Sequence, residues 1–243
     1  MKAVILAGGP GTRMRPLTYV MPKCMLPVAG KPLLERTIEY LGSYGIREFI
    51  ICVAYLKRQI ISAIGDGSVL GVSVSFAEAD TPLGTAGQLK TAERLVTDPF
   101  IVMNGDIITS LNIRNLVNKH LQIGGIGTVA VKKFDVRIPY GHITINESDS
   151  SIQLFEEKPT ISYLANAGVY VFRPDIFRYI PHGRVCSLER EIFPDLLSKG
   201  HKINSYYEDA SWADVGSMTD FEKVNDELLS TNSNLVPGVV GQE

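Results

Sequence analysis

Apolar residues in the first half of the chain come in short continuous runs separated by segments of helical spacing. The runs "KAVILA" (2–7), "EFIICVAY" (48–55), "VSVSFAE" (72–78) and "PFIVMNGD" (99–106) are rich in Val, Ile and Phe. They are too short for helices and predict strands, the continuous ones buried on both faces. Between them, "PLLERTIEYLGSYG" (32–45) has Pro at its start, Gly at its end and apolar residues three and four apart, which predicts a helix. "KRQIISAIGDG" (57–67) and "TAGQLKTAERLV" (85–96) repeat that spacing. Alternation of this kind predicts βαβ units and an α/β fold with a mixed, mostly parallel sheet covered on both faces.

Beyond Gly124 the pattern changes to closely spaced strands, "IGTVAVKKF" (126–134), "GHITIN" (141–146), "SIQLFEE" (151–157) and "NAGVYVF" (166–172), followed by helical segments near 174–179 and 188–198. These predict a second lobe with antiparallel content that closes over the first. A strand "KINSYYED" (202–209) leads into "WADVG" (212–216), and a helix at about 218–229 ends the fold. The expected organisation is one domain over 1–229, with a core at about 1–123, a lobe at about 124–216, and a loose tail at 230–243.

Composition narrows the chemistry. With 45% hydrophobic and 21% charged residues and a net charge of −2, the chain reads as an ordinary globular protein. No Lys/Arg run builds the basic face that nucleic acid requires. No segment approaches the ~18 apolar residues of a membrane span, and the opening "AVILA" is too short for a leader core. Cys24, Cys52 and Cys186 are odd in number and widely spaced, which fits neither a disulfide framework nor a zinc site. The expected setting is cytoplasmic, without membrane or nucleic-acid partners.

The stretch "LAGGPGTRMRPLT" (6–18) follows the first strand. It is not a dinucleotide fingerprint, because Met14 stands where the third glycine would be, and it lacks the Gly-Lys-Ser/Thr ending of a P-loop. Gly8, Gly9 and Gly11 allow backbone N–H groups to approach an anion, and Arg13 and Arg15 add charge-assisted contacts. In an open α/β sheet ligands sit beyond the carboxyl ends of the strands. The glycine loop, "PLGTAG" (82–87) and "NGD" (104–106) all fall there, so they are expected to share one cleft.

Together with "PKCMLPVAGKP" (22–32), "EEKP" (156–159), "NAGVYVF" and "WADVG", these motifs resemble the sugar-1-phosphate nucleotidylyltransferases. The resemblance runs in family order from residue 6 to residue 216. It implies a Rossmann-like core, a sugar-binding lobe, and conversion of a nucleoside triphosphate and a sugar 1-phosphate into a nucleotide sugar and pyrophosphate. A sugar phosphate, with its second pKa of about 6, arrives ionised and needs no general base. The missing Ser/His/Asp and Cys/His sets are therefore no obstacle. The reaction needs positioning and charge neutralisation, which basic residues and Mg²⁺ supply.

The resemblance assigns Arg13 to the triphosphate and leaving pyrophosphate and Lys23 to the α-phosphate. It gives the nucleotide Leu6, Ala7, Gly8, Gly9, Gly11, Thr12, Glu78, Pro82, Gly84, Thr85 and Asp106. Asp106 and Asp214 are the expected Mg²⁺ ligands, a carboxylate pair that suits a hard octahedral cation. Lys158, Gly105, Gly141, Glu157 and Asn166 are assigned to the sugar phosphate, where a carboxylate and an amide discriminate between hydroxyl patterns. Read alone, Asp106 also suits a turn, Asp214 a helix cap and Asn166 a strand end. None of the four histidines is assigned a role, Trp212 is expected in the core, and Cys24, where relatives often have proline, reads as a small buried filler.

Within the family the motifs resemble most the mannose-1-phosphate guanylyltransferases. The thymidylyltransferase branch has a glutamine before its "P-x-G" element, whereas Glu78, Ala79 and Asp80 stand here, and an acidic acceptor suits guanine's N1–H and amino group. The resemblance thus points to GTP and mannose 1-phosphate, with glucose 1-phosphate and UTP or dTTP second. It leaves room for a homo-oligomer. A glycosyltransferase would share the core, but no D-x-D ends a strand. A non-catalytic homologue would be expected to lose some of Arg13, Lys23 and Asp106, and all are present.

Overall fold

A computed structural model describes residues 1–230. In chain order the strands and helices are β1 (Lys2–Leu6), β2 (Pro27–Val28), β3 (Lys31–Pro32), α1 (Leu33–Ser43), β4 (Glu48–Val53), α2 (Lys57–Ile64), β5 (Ser73–Glu78), α3 (Gly84–Thr91), β6 (Phe100–Asn104), β7 (Ile107–Thr109) and α4 (Ile113–Ile123). There follow β8 (Gly127–Arg137), β9 (His142–Ile145), β10 (Ile152–Glu156), β11 (Thr160–Phe172), α5 (Phe193–Ser198), β12 (Ile203–Tyr207), β13 (Trp212–Asp214) and α6 (Met218–Leu229). The segment expected to be helical at 188–198 opens with a π turn, whose N-terminal N–H groups are capped by the Ser187 hydroxyl, before α5 begins. Beyond Ser230, the expected tail lies outside the described residues.

A seven-stranded sheet with the order β12-β8-β11-β6-β1-β4-β5 carries the fold. β11 runs antiparallel to both of its neighbours, and the other adjacent pairs are parallel. The reason the strands read as continuous apolar runs is visible in how they are buried. Ala3 and Ile5 face one layer, with Leu34, Ile38 and Leu41 of α1 and Leu116 of α4, while Val4 and Leu6 face the other, with Ala86 and Leu89 of α3 and Leu196 of α5. β4, β6 and β11 divide their residues between the same two layers.

The strands after Gly124 do not form a layer of their own. β8, β11 and β12 extend the central sheet, and the part that stands away from it is smaller than the expected lobe. β11 is far longer than its apolar stretch "NAGVYVF". Its register with β8 shifts between Asn166 and Tyr170, where Gly168 sits at φ 70°. Before that irregularity β11 pairs only with β8, as a two-stranded ribbon, and the β9–β10 hairpin forms a separate two-stranded sheet beside it. The alternation of polar and apolar residues in "TISYLA" (160–165) is the mark of that exposed ribbon.

A third apolar cluster joins Met14, Leu26, Val28, Leu33, Ile108, Val215 and Val224. It fastens the end of the glycine loop, the β2–β3 turn, β7, β13 and α6 to one another below the carboxyl edge of the sheet. Among the described residues no helix is long and apolar enough to cross a membrane.

Phe172 tests the layer under α3 and α5. It is fully buried, stacks on Tyr170 at 5.4 Å, and lies 6.2 Å from the rings of both Phe100 and Phe193. Gly127 is bare because a Cβ there would come within 2.5 Å of that ring. Phe172→Ala is expected to cost about 3–5 kcal/mol in urea unfolding; a loss well below 1 kcal/mol would mean the layer collapses to refill the space.

Candidate active site

The carboxyl ends of β1, β4, β5 and β6 lie along one edge, and the glycine loop crosses it. Its path is fixed by backbone contacts: Ala7 N–H donates to Cys52 O at 2.9 Å and Gly105 N–H to Leu6 O at 3.0 Å. Gly8 N–H is buried and donates to Gln88 Oε1 at 2.8 Å, and a Cβ on Gly8 would come within 2.9 Å of that oxygen and 3.0 Å of Ala54 N. Gly11 sits at φ 57°, its carbonyl accepting from the Thr18 hydroxyl at 2.8 Å. A Cβ on Gly9 would meet nothing within 4 Å, so its bareness leaves open space rather than relieving a contact.

That space is a cleft of about 250 Å³, lined by Leu6, Ala7, Gly9, Pro10, Gly11, Thr12, Arg13, Lys23, Cys24, Gly105, Asp106 and Gly216. Asp106 lies between β6 and β7, and Asp214 ends β13. β13 pairs antiparallel with β7 so that Asp214 stands opposite Ile107, and Val215 N–H donates to Asp106 O at 2.9 Å. This two-strand clamp brings together carboxylates more than a hundred residues apart. Lys23 Nζ lies between them, 2.6 Å from Asp106 Oδ2 and 3.8 Å from Asp214 Oδ1. A Cβ on Gly216 would approach Asp214 Oδ2 at 2.9 Å and the Arg13 guanidinium at 3.2 Å, so the bare glycine leaves room for both side chains.

Burial pushes the Asp214 carboxyl above its ordinary range. The negative charge of Asp106 adds to the rise, and Lys23 and Arg13 oppose it. Asp214 Oδ1 is buried without a hydrogen-bond donor, as is Asn104 Oδ1 at the end of β6. An orphaned carboxylate oxygen beside a second carboxylate fits a hard cation. No group of three His, Cys, Asp or Glu side chains that could hold a metal occurs among the described residues, so the other ligands of such an ion would be phosphate oxygens and water. Asp214 is not a helix cap: the N-terminus of α6 is capped by Ser217, whose hydroxyl accepts from Asp220 N–H. Cys24 is buried, and burial pushes its thiol up to about 12, which makes it an inert filler.

The remaining expected residues do not line this cleft. Glu78 ends β5, paired with Lys57 Nζ at 3.3 Å; Lys57 also reaches Asp80 at 3.1 Å. Pro82 precedes α3, and Gly84, at φ 69°, packs so closely that a Cβ would fall 2.5 Å from Cys186 O. The Thr85 hydroxyl is spent within the protein: it donates to Glu189 Oε2 at 2.7 Å and accepts from Leu188 N–H at 2.9 Å. Asn166 is also engaged. Its Nδ2 donates to the Tyr170 hydroxyl at 2.7 Å and its Oδ1 accepts from Gly168 N–H at 3.0 Å. The Tyr170 hydroxyl in turn donates to Glu189 Oε1 at 3.0 Å.

Gly141 and Glu157 are brought together: a Cβ on Gly141 would lie 3.0 Å from Glu157 Oε2. Lys158, at φ 50°, is exposed, its Nζ 3.9 Å from Glu157 Oε1. Trp212 is half-buried, its Nε1–H donating to Ala167 O at 2.8 Å and its ring set edge-on to Phe134 at 5.8 Å. Gln88 and Glu189 carry no local signal that would mark them in the sequence, and Gly216 and Tyr170 fall inside "WADVG" and "NAGVYVF" without standing out there.

The fold and the cleft define a class, an α/β protein with a glycine loop, two cations and two carboxylates at the carboxyl edge of its sheet. The chain belongs to the nucleotidyl transferase family, whose model matches residues 2–231. It is 35% identical over 231 residues to a mannose-1-phosphate guanylyltransferase of Mycobacterium tuberculosis, which covers 93% of this chain and 64% of that protein. It is 32% identical over 259 residues to a UTP–glucose-1-phosphate uridylyltransferase of Synechocystis, covering 98% of this chain and 66% of that one. The chain therefore spans less than two thirds of the length of these two relatives. The crystal structure of HddC from Yersinia pseudotuberculosis complexed with GMP-PN has the same fold, with a TM-score of 0.74 and 26% identity over 93% of this chain and 99% of that one.

The Asp214 charge works against the fold in the metal-free protein. Asp214→Asn preserves the side chain's shape and removes that charge, so with chelator at neutral pH it is expected to melt at a higher temperature than the parent in calorimetry. A lower melting temperature would mean that Lys23 and Arg13 more than offset the burial and the Asp106 charge.

Proposed function

We propose that the chain transfers a nucleotidyl group from a nucleoside triphosphate to a sugar 1-phosphate and releases pyrophosphate. The observation that carries this reading is the Lys23–Asp106–Asp214–Arg13 set at the mouth of the glycine loop. The core over about 1–123 holds the nucleotide, and the strands over about 124–216 hold the sugar phosphate. The sugar phosphate oxygen attacks the α-phosphorus, the bond to the bridging β-phosphate oxygen breaks, and the electron pair leaves on pyrophosphate. No proton has to be removed from the nucleophile.

Glycine-loop N–H groups and Arg13 hold the triphosphate, and Arg13 neutralises the departing pyrophosphate. Lys23 moves its charge from Asp106 to the α-phosphate when the nucleotide arrives. Asp106 and Asp214 would hold Mg²⁺, which supplies charge neutralisation across the phosphates. On the sugar side Lys158 meets the phosphate, while Glu157 and the free face of the Asn166 amide meet hydroxyls beside the bare Gly141.

For the substrates, GTP and mannose 1-phosphate are favoured by the guanylyltransferase relatives and by Glu78 at the end of β5, a carboxylate acceptor for guanine's N–H groups. The uridylyltransferase relative favours UTP and glucose 1-phosphate as the second reading.

Pyrophosphate release with Mg²⁺ across a grid of five nucleoside triphosphates and the 1-phosphates of mannose, glucose, galactose and N-acetylglucosamine tests both levels. A maximum at GTP with mannose 1-phosphate is expected. A maximum elsewhere corrects base or sugar, and silence across the grid overturns the reading. Lys158→Ala is expected to raise KM for the sugar phosphate roughly 10- to 100-fold, the worth of one charge-assisted contact, with the triphosphate KM unchanged. A change confined to the triphosphate KM would remove Lys158 from the sugar side.

A further inference from the structure

Three hydroxyls converge on a carboxylate that the proposed reaction leaves unused. Glu189, half-buried on the π turn before α5, accepts at Oε2 from the Thr85 and Ser187 hydroxyls, each at 2.7 Å, and at Oε1 from the Tyr170 hydroxyl at 3.0 Å. Arg184 pairs with Glu191 instead, so every side-chain partner of Glu189 among the described residues is a hydroxyl.

A carboxylate only accepts, and this fixes the direction of the next bond. The Tyr170 proton points at Glu189, which leaves the phenol oxygen to accept from Asn166 Nδ2 at 2.7 Å. The far side of the same amide agrees, because Asn166 Oδ1 accepts from Gly168 N–H at 3.0 Å. Tyr170 is fully buried, and burial, followed by the Glu189 charge, raises its hydroxyl well above the ordinary value, so the proton stays in place. Asn166, by contrast, is exposed, with one Nδ2 proton and one Oδ1 lone pair left for a ligand.

We infer that Glu189 is a positioning residue for sugar selection: by directing the Glu189–Tyr170–Asn166 chain it decides which way round the Asn166 amide offers its donor and acceptor to sugar hydroxyls. This rests on the placement of Asn166 on the sugar side of the proposed reaction. An amide held one way round matches one pattern of hydroxyls and leaves buried groups unpaired against another, whereas a turning amide accommodates both. Glu189→Gln keeps the shape and spoils the direction. The new NH₂ group avoids the side with two hydroxyl donors and takes the side with one, so it faces Tyr170. The phenol oxygen then receives two donors and its own proton loses its acceptor. Turning Asn166 to supply that acceptor would set its NH₂ against Gly168 N–H, donor against donor.

The first readout needs no substrate. In a proton–nitrogen correlation spectrum of the full chain the Asn166 side-chain NH₂ pair is identified by its loss in Asn166→Asp. It is expected to shift and to exchange faster with water in Glu189→Gln and in Tyr170→Phe, which keeps the buried ring and with it the fold. The second readout is kinetic. In each variant KM for mannose 1-phosphate is expected to rise roughly 3- to 10-fold, about what one hydrogen bond is worth, and the preference between mannose and glucose 1-phosphates to narrow, with kcat and the triphosphate KM little changed. The double variant is expected to be no worse than either single one, because both cut the same chain. A carboxylate that only supports the fold would instead lower the melting temperature and spoil kcat and both KM values together. An Asn166 pair unmoved in Glu189→Gln overturns the relay, and an unchanged sugar preference in both variants overturns its part in selection. A parent chain that releases no pyrophosphate from any substrate pair overturns the proposed reaction and the selection built on it, while the substrate-free spectrum still decides the relay.

Discussion

Two like charges held together in a partly buried cleft are the constraint around which the rest of this structure is arranged. Asp106 and Asp214 come from distant parts of the chain, and burial together with the neighbouring Asp106 charge raises the cost of ionising Asp214. Such a pair persists only if the backbone leaves it no choice and a cation stands between. The backbone condition is met by the β7–β13 clamp and the Val215 N–H bond to Asp106, both underpinned by the apolar cluster of Met14, Leu26, Val28, Ile108 and Val224. The cation is Lys23, delivered by the tight turn after Pro22. A site strained in this way is expected where charge must be handed to an incoming phosphate, since the groups that attract the ligand are already in place and poorly satisfied without it.

The glycine loop answers a different demand at each position. Gly8 is bare because Gln88 and Ala54 crowd it and Gly11 because its backbone is left-handed, whereas Gly9 borders open space in the cleft. Three glycines in four residues therefore read as one motif in the sequence but serve packing, turn geometry and access separately. Only the third of these bears directly on ligand approach.

What was legible in the sequence was what is local. The apolar runs of β1, β4 and β6 announced a sheet buried on both faces, Pro32 and Gly45 bracketed α1, and the motifs around Gly9, Lys23, Asp106 and Asp214 marked the cleft before any geometry was known. What was not legible depends on pairing across long separations. Glu189 accepts from Thr85 and Tyr170, 104 and 19 residues away, and nothing in "SLERE" distinguishes that half-buried carboxylate from Glu191 two residues on. Thr85 and Asn166 were readable as motif members but not as side chains whose hydrogen bonds are turned inward. The ribbon is less legible for a related reason: the apolar stretch "NAGVYVF" is the buried half of β11, and the alternation before it runs over only the four residues Thr160 to Tyr163.

On the proposed assignment, position in the fold also separates the chemistry from the choice of substrate. Asp106 and Asp214 sit on the clamp at the end of the central strands, Lys23 on the turn after Pro22 and Arg13 on the turn that ends the glycine loop, so a change at any of them disturbs one shared charge balance. Glu78 ends the edge strand β5, and Glu157 and Lys158 follow β10, where both are exposed. Peripheral residues of this kind can change the base or the sugar without altering the phosphate machinery. Identity of about a third both to a guanylyltransferase and to a uridylyltransferase therefore carries little information about which substrate such peripheral positions select.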